Sequence, residues 1–318
     1  MKKWLTTVLV VAVTALLLGY ALWRVDLAAL GEVLAGADYR LAAPFLATLA
    51  VFFWLKAWRW SVILEPLGRY SVPQVTPAMM IGFAANNVLP AHLGEIVRSL
   101  WFARSYRQRV SAVLVSQVLE RILDVLAILL LYLLAVPWVD NPPQAIRVSV
   151  WLVAAVAATA ALVIYAMLTF PKRVFRLWRM LSGKLPASIQ SRGEAFLKDV
   201  LQALSSVRSP VRLLHLMINS LIQWSLMGIC VWIAMTAVGV TIGPAVTIIV
   251  LTATVVAVTL PNAPGYVGAL QAAFVFALQP FGVSSESAFA ASVFYLAGNW
   301  IPITCIGGLF MLGTRTRT

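Results

Sequence analysis

Charged side chains are what this sequence has least of. Asp, Glu, Lys and Arg make up 11% of its 318 residues, against about a quarter in soluble domains, and that deficit excludes an ordinary soluble protein. Acidic residues are the scarcer sign, 11 against 24 Lys and Arg. Cys230 and Cys305 are the two cysteines, each in an apolar stretch without a CxxC or His neighbour, which excludes a disulfide framework or a zinc site. Two inert, packed thiols are expected. His92 stands three residues before Glu95 but has no further His or Cys near it, so no metal is expected there. A nucleotide-binding loop is also missing, so no nucleotide cofactor is expected, and any transport must run downhill, be coupled to an ion or be driven by a partner.

What the chain has in abundance is apolar sequence, 62% of all residues. A hydrocarbon core roughly 30 Å thick needs about 20 apolar residues per helical span, and apolar segments fall at 4–23, 41–55, 75–90, 109–137, 148–170, 213–238, 244–260, 266–280 and 287–313, with a partly apolar stretch at 96–103. The segment 4–23 is too long for a signal peptide and has a poor cleavage site, so it is expected to be retained as a first span. Segment 41–55 extends into Trp58-Arg59-Trp60 and Ile63-Leu64. The net charge of +13 reports orientation through the positive-inside bias, not nucleic-acid binding. Lys2 and Lys3, the Lys56/Arg59/Arg69 group, Arg104/Arg107/Arg109, the stretch from Lys172 to Arg212, and Arg315/Arg317 are assigned to the cytoplasm. The expectation is an all-α, polytopic helical protein of a bacterial-type cytoplasmic (inner) membrane, with both termini cytoplasmic.

Two segments are interrupted. The pair 75–90 and 91–104 breaks at Asn86-Asn87-Val88-Leu89-Pro90, and the later pair breaks at Leu260-Pro261-Asn262-Ala263-Pro264-Gly265. Both breaks share the spacing L-P-x-x-x-G, with Gly94 closing the first and Gly265 the second, and irregular backbone at membrane depth survives only under cover of protein or a watery cavity. About six full spans plus two broken or re-entrant hairpins in an inverted repeat result, the pattern of transporters whose site forms where broken helices meet. The chain divides into a first half (1–170), a basic linker (171–212) and a second half (213–318). In the linker, Ser191-Arg192-Gly193-Glu194 has capping-box form, and Phe196, Leu197, Val200, Leu201 and Leu204 gather on one helical face. An amphipathic helix on the inner leaflet is expected there, held by acidic lipid.

The helix at 109–137 carries Gln117, Glu120, Arg121 and Asp124 about three to four turns in. Charges at that depth are costly unless paired, so they are expected to face the bundle interior, where they serve either as a structural ion-pair network or as a site. Glu95 and Arg98 follow the Pro90 break near a helix N-terminus, and backbone N–H groups together with an arginine favour an anion. Arg98 and Arg121 have the planar fork that suits phosphate. Pairing of Glu95 with Arg121, or of Glu120 and Asp124 with Arg98, would let those pairs open to a lipid phosphate. Asn86, Asn87 and Asn262 flank the breaks. Gln271, Asn219, Gln223 and Asn299 lie in apolar stretches, where interhelical hydrogen bonding is the commoner use.

At these residues the chain resembles the flippase-like membrane region of lysylphosphatidylglycerol synthases. Three runs carry the likeness: Asn87-Val88-Leu89-Pro90-Ala91-His92-Leu93-Gly94-Glu95-Ile96-Val97-Arg98, Glu120-Arg121-Ile122-Leu123-Asp124, and Leu260-Pro261-Asn262-Ala263-Pro264-Gly265-Tyr266-Val267-Gly268. The resemblance implies a membrane domain that moves a phospholipid between leaflets, without the soluble domain that makes lysyl lipid. The expected function is non-enzymatic binding and translocation of an amphiphile with a phosphate-bearing or otherwise polar headgroup. Its candidate site residues are Asn86, Asn87, His92, Glu95, Arg98, Glu120, Arg121, Asp124, Asn262, Tyr266 and Gln271, shaped by Pro90, Gly94, Pro261, Pro264, Gly265 and Gly268. Membrane lipids and a lipid-biosynthetic enzyme are the expected partners. Two rival readings are an intramembrane lipid-linked transferase using Glu120 or Asp124 as a base, and a non-transporting accessory subunit.

Overall fold

The computed structural model describes residues 18–19, 25–89, 92–139, 142–183, 186, 190–191, 193–194, 197–198, 200, 209–259 and 264–315. Among these residues all regular structure is helical. The helices are α1 (Leu27–Ala35), α2 (Ala42–Ile63), α3 (Val72–Val88), α4 (Leu93–Tyr106), α5 (Val110–Ala135), α6 (Gln144–Thr169), α7 (Pro171–Ser182), α8 (Pro210–Ala237), α9 (Pro244–Thr259), α10 (Ala269–Leu278) and α11 (Ser285–Arg315).

Among the described residues, three stretches are long and apolar enough to cross a membrane by length and composition: Tyr39–Ile63, Pro210–Ala237 and Ser285–Gly313. Helices α5 and α6 have 26 residues each, roughly 39 Å at 1.5 Å per residue. The helices at the two interruptions are shorter, with 17 and 14 residues in α3 and α4 and 16 and 10 in α9 and α10. None of these four reaches the roughly 20 residues of a full span. Each short helix packs on its pair mate, α3 on α4 and α9 on α10, and α3 also lies along α11.

The sequence sets these boundaries locally. Before α3, the Gln74 side chain accepts from both the backbone N–H and the hydroxyl of Ser71, at 2.8 and 3.0 Å, which fixes the first turn. The helix stops because Leu89 precedes Pro90, and a residue before proline is pushed out of the α region. Leu89 is extended, at φ −98° and ψ 142°. His92 takes a left-handed conformation, φ 54°, immediately before α4.

One hydrophobic core joins α2, α8, α9, α10 and α11 around Phe45, Ala234, Met235, Val250, Phe274 and Ala290. A second lies in the first half around Trp60, Val75, Met79, Phe102 and Val113. The site described next lies beside this second core.

Three expectations change. Lys56 and Arg59 are not cytoplasmic markers: both lie within α2 and are buried, because that helix continues to Ile63 and turns their face toward α5. Cys305 is exposed on α11, so only Cys230 is a packed thiol. In the linker, the described residues from 190 to 200 are helical as expected, but a further basic helix, α7, precedes them, with Lys172, Arg173, Arg176 and Arg179 on its exposed side. Of the expected face, Phe196, Leu201 and Leu204 lie outside the described residues, as does Arg192 of the capping box. Val200 packs against a cluster of Ile63, Val115, Leu119, Leu123 and Leu216.

Candidate functional site

The first interruption is a tight helical hairpin. Gly94 at the start of α4 sits so close to α3 that a Cβ there would meet the Gly82 carbonyl and Asn86, a backbone approach that small residues alone permit. Asn86 fixes the junction by accepting from the Gly94 N–H at 2.7 Å. A Cβ on Gly82 would in turn meet the stem of Arg98. The two glycines therefore let Arg98 lie between α3 and the rest of the bundle.

Behind Arg98 is a buried ionic network built from three helices. Lys56 of α2 contacts Glu120 at 3.0 Å and Asp124 at 3.1 Å, both on α5. Arg59 contacts the same two carboxylates at 3.5 and 2.6 Å and donates to the Ser220 hydroxyl of α8 at 2.6 Å. Trp224 of α8 donates its indole N–H to Asp124 at 3.0 Å. Each of the four charged groups is within 5% of complete burial. Charges so deeply removed from water persist only when paired and hydrogen-bonded.

Arg98 extends the network toward α4, donating to Glu120 Oε2 at 2.9 Å. Its guanidinium lies 3.6 Å from the centre of the Trp60 ring, a cation–π stack whose ring is held by the Trp60 N–H donating to the Ser116 hydroxyl at 3.0 Å. A second pair stands nearer the surface. Arg121 donates to Glu95 Oε1 through Nε at 3.0 Å and a terminal nitrogen at 2.5 Å, and the two side chains are 50% and 33% exposed. Arg121 therefore does not face the interior, as its depth on α5 suggested. Arg121 stands one residue, about 100° of helix rotation, beyond Glu120, so it points along the rim.

Between the two groups runs a narrow crevice with room for about one water. Gly82, Phe83, Asn86, Gly94, Glu95, Arg98, Gln117 and Arg121 line it. The Nε–H of Arg98 and the Oε1 of Gln117, both buried here, have no hydrogen-bonding partner. Gln117 donates instead through its NH2 to the Ser99 hydroxyl at 2.6 Å and, at 3.3 Å, to the Glu95 carbonyl.

The second interruption meets the first. The turn Pro264–Tyr266 packs on α3, and the Tyr266 ring lies 5.9 Å from the His92 ring. Gly265, at φ +75°, approaches the Trp300 indole of α11 so closely that a Cβ would collide with it. That indole donates to the Asn87 carbonyl at 3.3 Å, while the Asn87 side chain donates to Thr304 Oγ1 at 2.8 Å and the Trp300 carbonyl at 3.3 Å. Asn87 thus ties α3 to α11 and does not face the crevice. Gln271 caps α10 by accepting from the Gly268 N–H at 2.7 Å. Asn299 donates to its own helix, to the Tyr295 carbonyl at 2.9 Å, and Gln223 to Asn219. Pro90, Pro261 and Asn262 lie outside the described residues.

The family model of the lysylphosphatidylglycerol synthase TM region matches residues 7–307. The chain belongs to that family. A comparison with curated proteins finds no match. As a lysylphosphatidylglycerol synthase TM region, the chain brings Glu95, Arg98, Glu120, Arg121 and Asp124 of its first two motif runs into one network, with Tyr266 of the third run adjoining at His92. Lys56, Arg59, Trp60 and Ser220 belong to the same network and were not among the sequence candidates. Their signal was present: Phe52, Lys56, Arg59 and Ile63 follow each other at three- and four-residue intervals, one helical face shared with buried apolar positions.

Proposed function

We propose that this membrane domain binds the polar headgroup of a lipid at the crevice between α3, α4 and α5 and assists its passage between the leaflets. The observation that carries this reading is the convergence of Arg98, Arg121 and Glu95 on one crevice beside the contact of the two interruptions. Two guanidinium groups offer phosphate the paired donors it prefers, and the partly exposed Glu95 offers an acceptor to an amine or hydroxyl of the same headgroup. Opening the Glu95–Arg121 pair frees both groups at once. The short paired helices support treating α3–α4 and α9–α10 as re-entrant hairpins of an inverted repeat, with the site between them. We place the domain in a bacterial cytoplasmic membrane with its termini inside, on the distribution of Lys and Arg.

The inner network has a different part in this scheme. Lys56 and Arg59 on α2 are tied to Glu120 and Asp124 on α5, and through Ser220 and Trp224 to α8, which favours a structural lock that holds these three helices while the crevice changes. The test is mass spectrometry of lipids retained by the purified protein, comparing the unaltered chain with Arg98→Gln and Arg121→Gln. One enriched lipid class, lost from both variants, is expected, and that class is then followed in a leaflet-exchange assay in vesicles. Retention of bulk lipid in the same proportions by all three proteins would overturn the headgroup reading.

A further inference from the structure

The charges around the crevice do not balance. Lys56 and Arg59 each touch both Glu120 and Asp124, so two cations face two carboxylates. Glu95 and Arg121 form a second neutral pair. Arg98 is the cation left over among the described residues of the network. Its single ion-pair contact, to Glu120 Oε2, borrows a carboxylate that already faces Lys56 and Arg59. Arg98 is 5% exposed, its Nε–H has no acceptor, and it lines the crevice. An excess guanidinium charge held away from water is strongly unfavourable without a counter-ion.

Gln117 supplies the second observation. Its Oε1 is buried and unpartnered on the same crevice. The two ends of an amide are exchangeable by a half turn. In the turned arrangement Oε1 accepts from the Ser99 hydroxyl, now 2.6 Å from the Gln117 nitrogen, the long 3.3 Å bond to the Glu95 carbonyl is given up, and the NH2 group points into the crevice beside Arg98. Both orphaned atoms then have partners, provided that an acceptor of single negative charge occupies the gap.

We propose that, with no headgroup bound, the crevice holds one small inorganic monoanion such as chloride, donated to by Arg98 Nε–H and the Gln117 amide. The space, about that of one water, excludes a polyatomic anion and leaves a monatomic one that the flexible Arg98 and Gln117 side chains close around. The ion site stands on charge and geometry alone. Its relation to lipid rests on the headgroup reading: a lipid phosphate oxygen and a free halide satisfy the same donors, so headgroup entry is an exchange of one anion for another.

The experiment measures the unfolding temperature of the protein in uncharged detergent as sodium chloride or bromide replaces sodium gluconate at fixed ionic strength. A saturable rise of about 2–4 °C is expected near tenfold excess over the dissociation constant. The Gln117→Glu variant places a carboxylate where the ion sits. It is expected to show in gluconate the stability that the unaltered chain shows in chloride, and to lose the halide response. An unaltered chain indifferent to halide, or a Gln117→Glu variant with the full response, overturns the proposal. Chloride NMR line broadening on the unaltered chain provides a readout independent of any variant: excess broadening that bromide competes away and gluconate does not is expected, and a chloride line no broader than in protein-free detergent overturns the proposal as well. Addition of the retained lipid class is expected to narrow the line by displacing the ion. Broadening that survives added lipid leaves the ion site standing and rejects the headgroup reading.

Discussion

Helix α5 carries two kinds of ion pair within five residues. Glu120 and Asp124 point into the bundle, where they meet Lys56 and Arg59 out of reach of water. Arg121, the residue next to Glu120, points along the rim to Glu95 and keeps half of its side chain exposed. The chemistry of the partners is the same, and burial alone separates their tasks. A sealed pair is hard to break, since removal of one member strands the other in a medium that cannot solvate it. A half-exposed pair is worth little and opens readily, because water replaces the lost partner. The first kind suits a fixed scaffold and the second a site that must admit a ligand.

Substitutions separate the two. Asp124→Asn leaves Arg59 without its 2.6 Å carboxylate, and a loss of about 3–5 kcal/mol is expected, measured by denaturant or thermal unfolding in detergent. A loss below about 1 kcal/mol would mean that the inner pairs are no more structural than the outer one. Gly94→Ala forces a Cβ against the Gly82 carbonyl, and about 1–3 kcal/mol is expected from such overpacking, together with weaker lipid retention as Arg98 is displaced. The smallest change in stability belongs to Arg121→Gln, within about 1 kcal/mol, yet this variant is expected to lose the retained lipid. If it unfolds as readily as Asp124→Asn, the division between scaffold and site collapses.

The sequence made much of this legible, for reasons that differ from element to element. Helix ends fell close to their expected positions because the prolines at the two breaks, Pro90 and Pro261, punctuate long apolar runs strongly. The pairing of Glu95 with Arg121 and of Glu120 with Arg98 followed from asking where buried charges find partners, and both contacts are present. Asp124 turned instead to Lys56 and Arg59. Those two cations were misplaced because a basic residue near the end of an apolar segment has two physical outcomes, a snorkelling surface charge or a buried partner, and only tertiary contact chooses between them. The role of Asn87 was hidden for the same reason, since nothing local to it announces Trp300 and Thr304.

That tie has a consequence for how the chain is made. Asn87 and Trp300 are 213 positions apart, and at a translation rate of about 5–20 residues per second the second emerges roughly 10 to 40 seconds after the first. Throughout that interval the α3–α4 hairpin has neither its α11 neighbour nor, until α8 is made, the Ser220 hydroxyl and Trp224 indole that complete the buried charges. The nascent first half must wait in the membrane or its insertion machinery with its ionic residues only partly matched. Closure of the bundle around the crevice is therefore a late event in biogenesis, set by the arrival of α11.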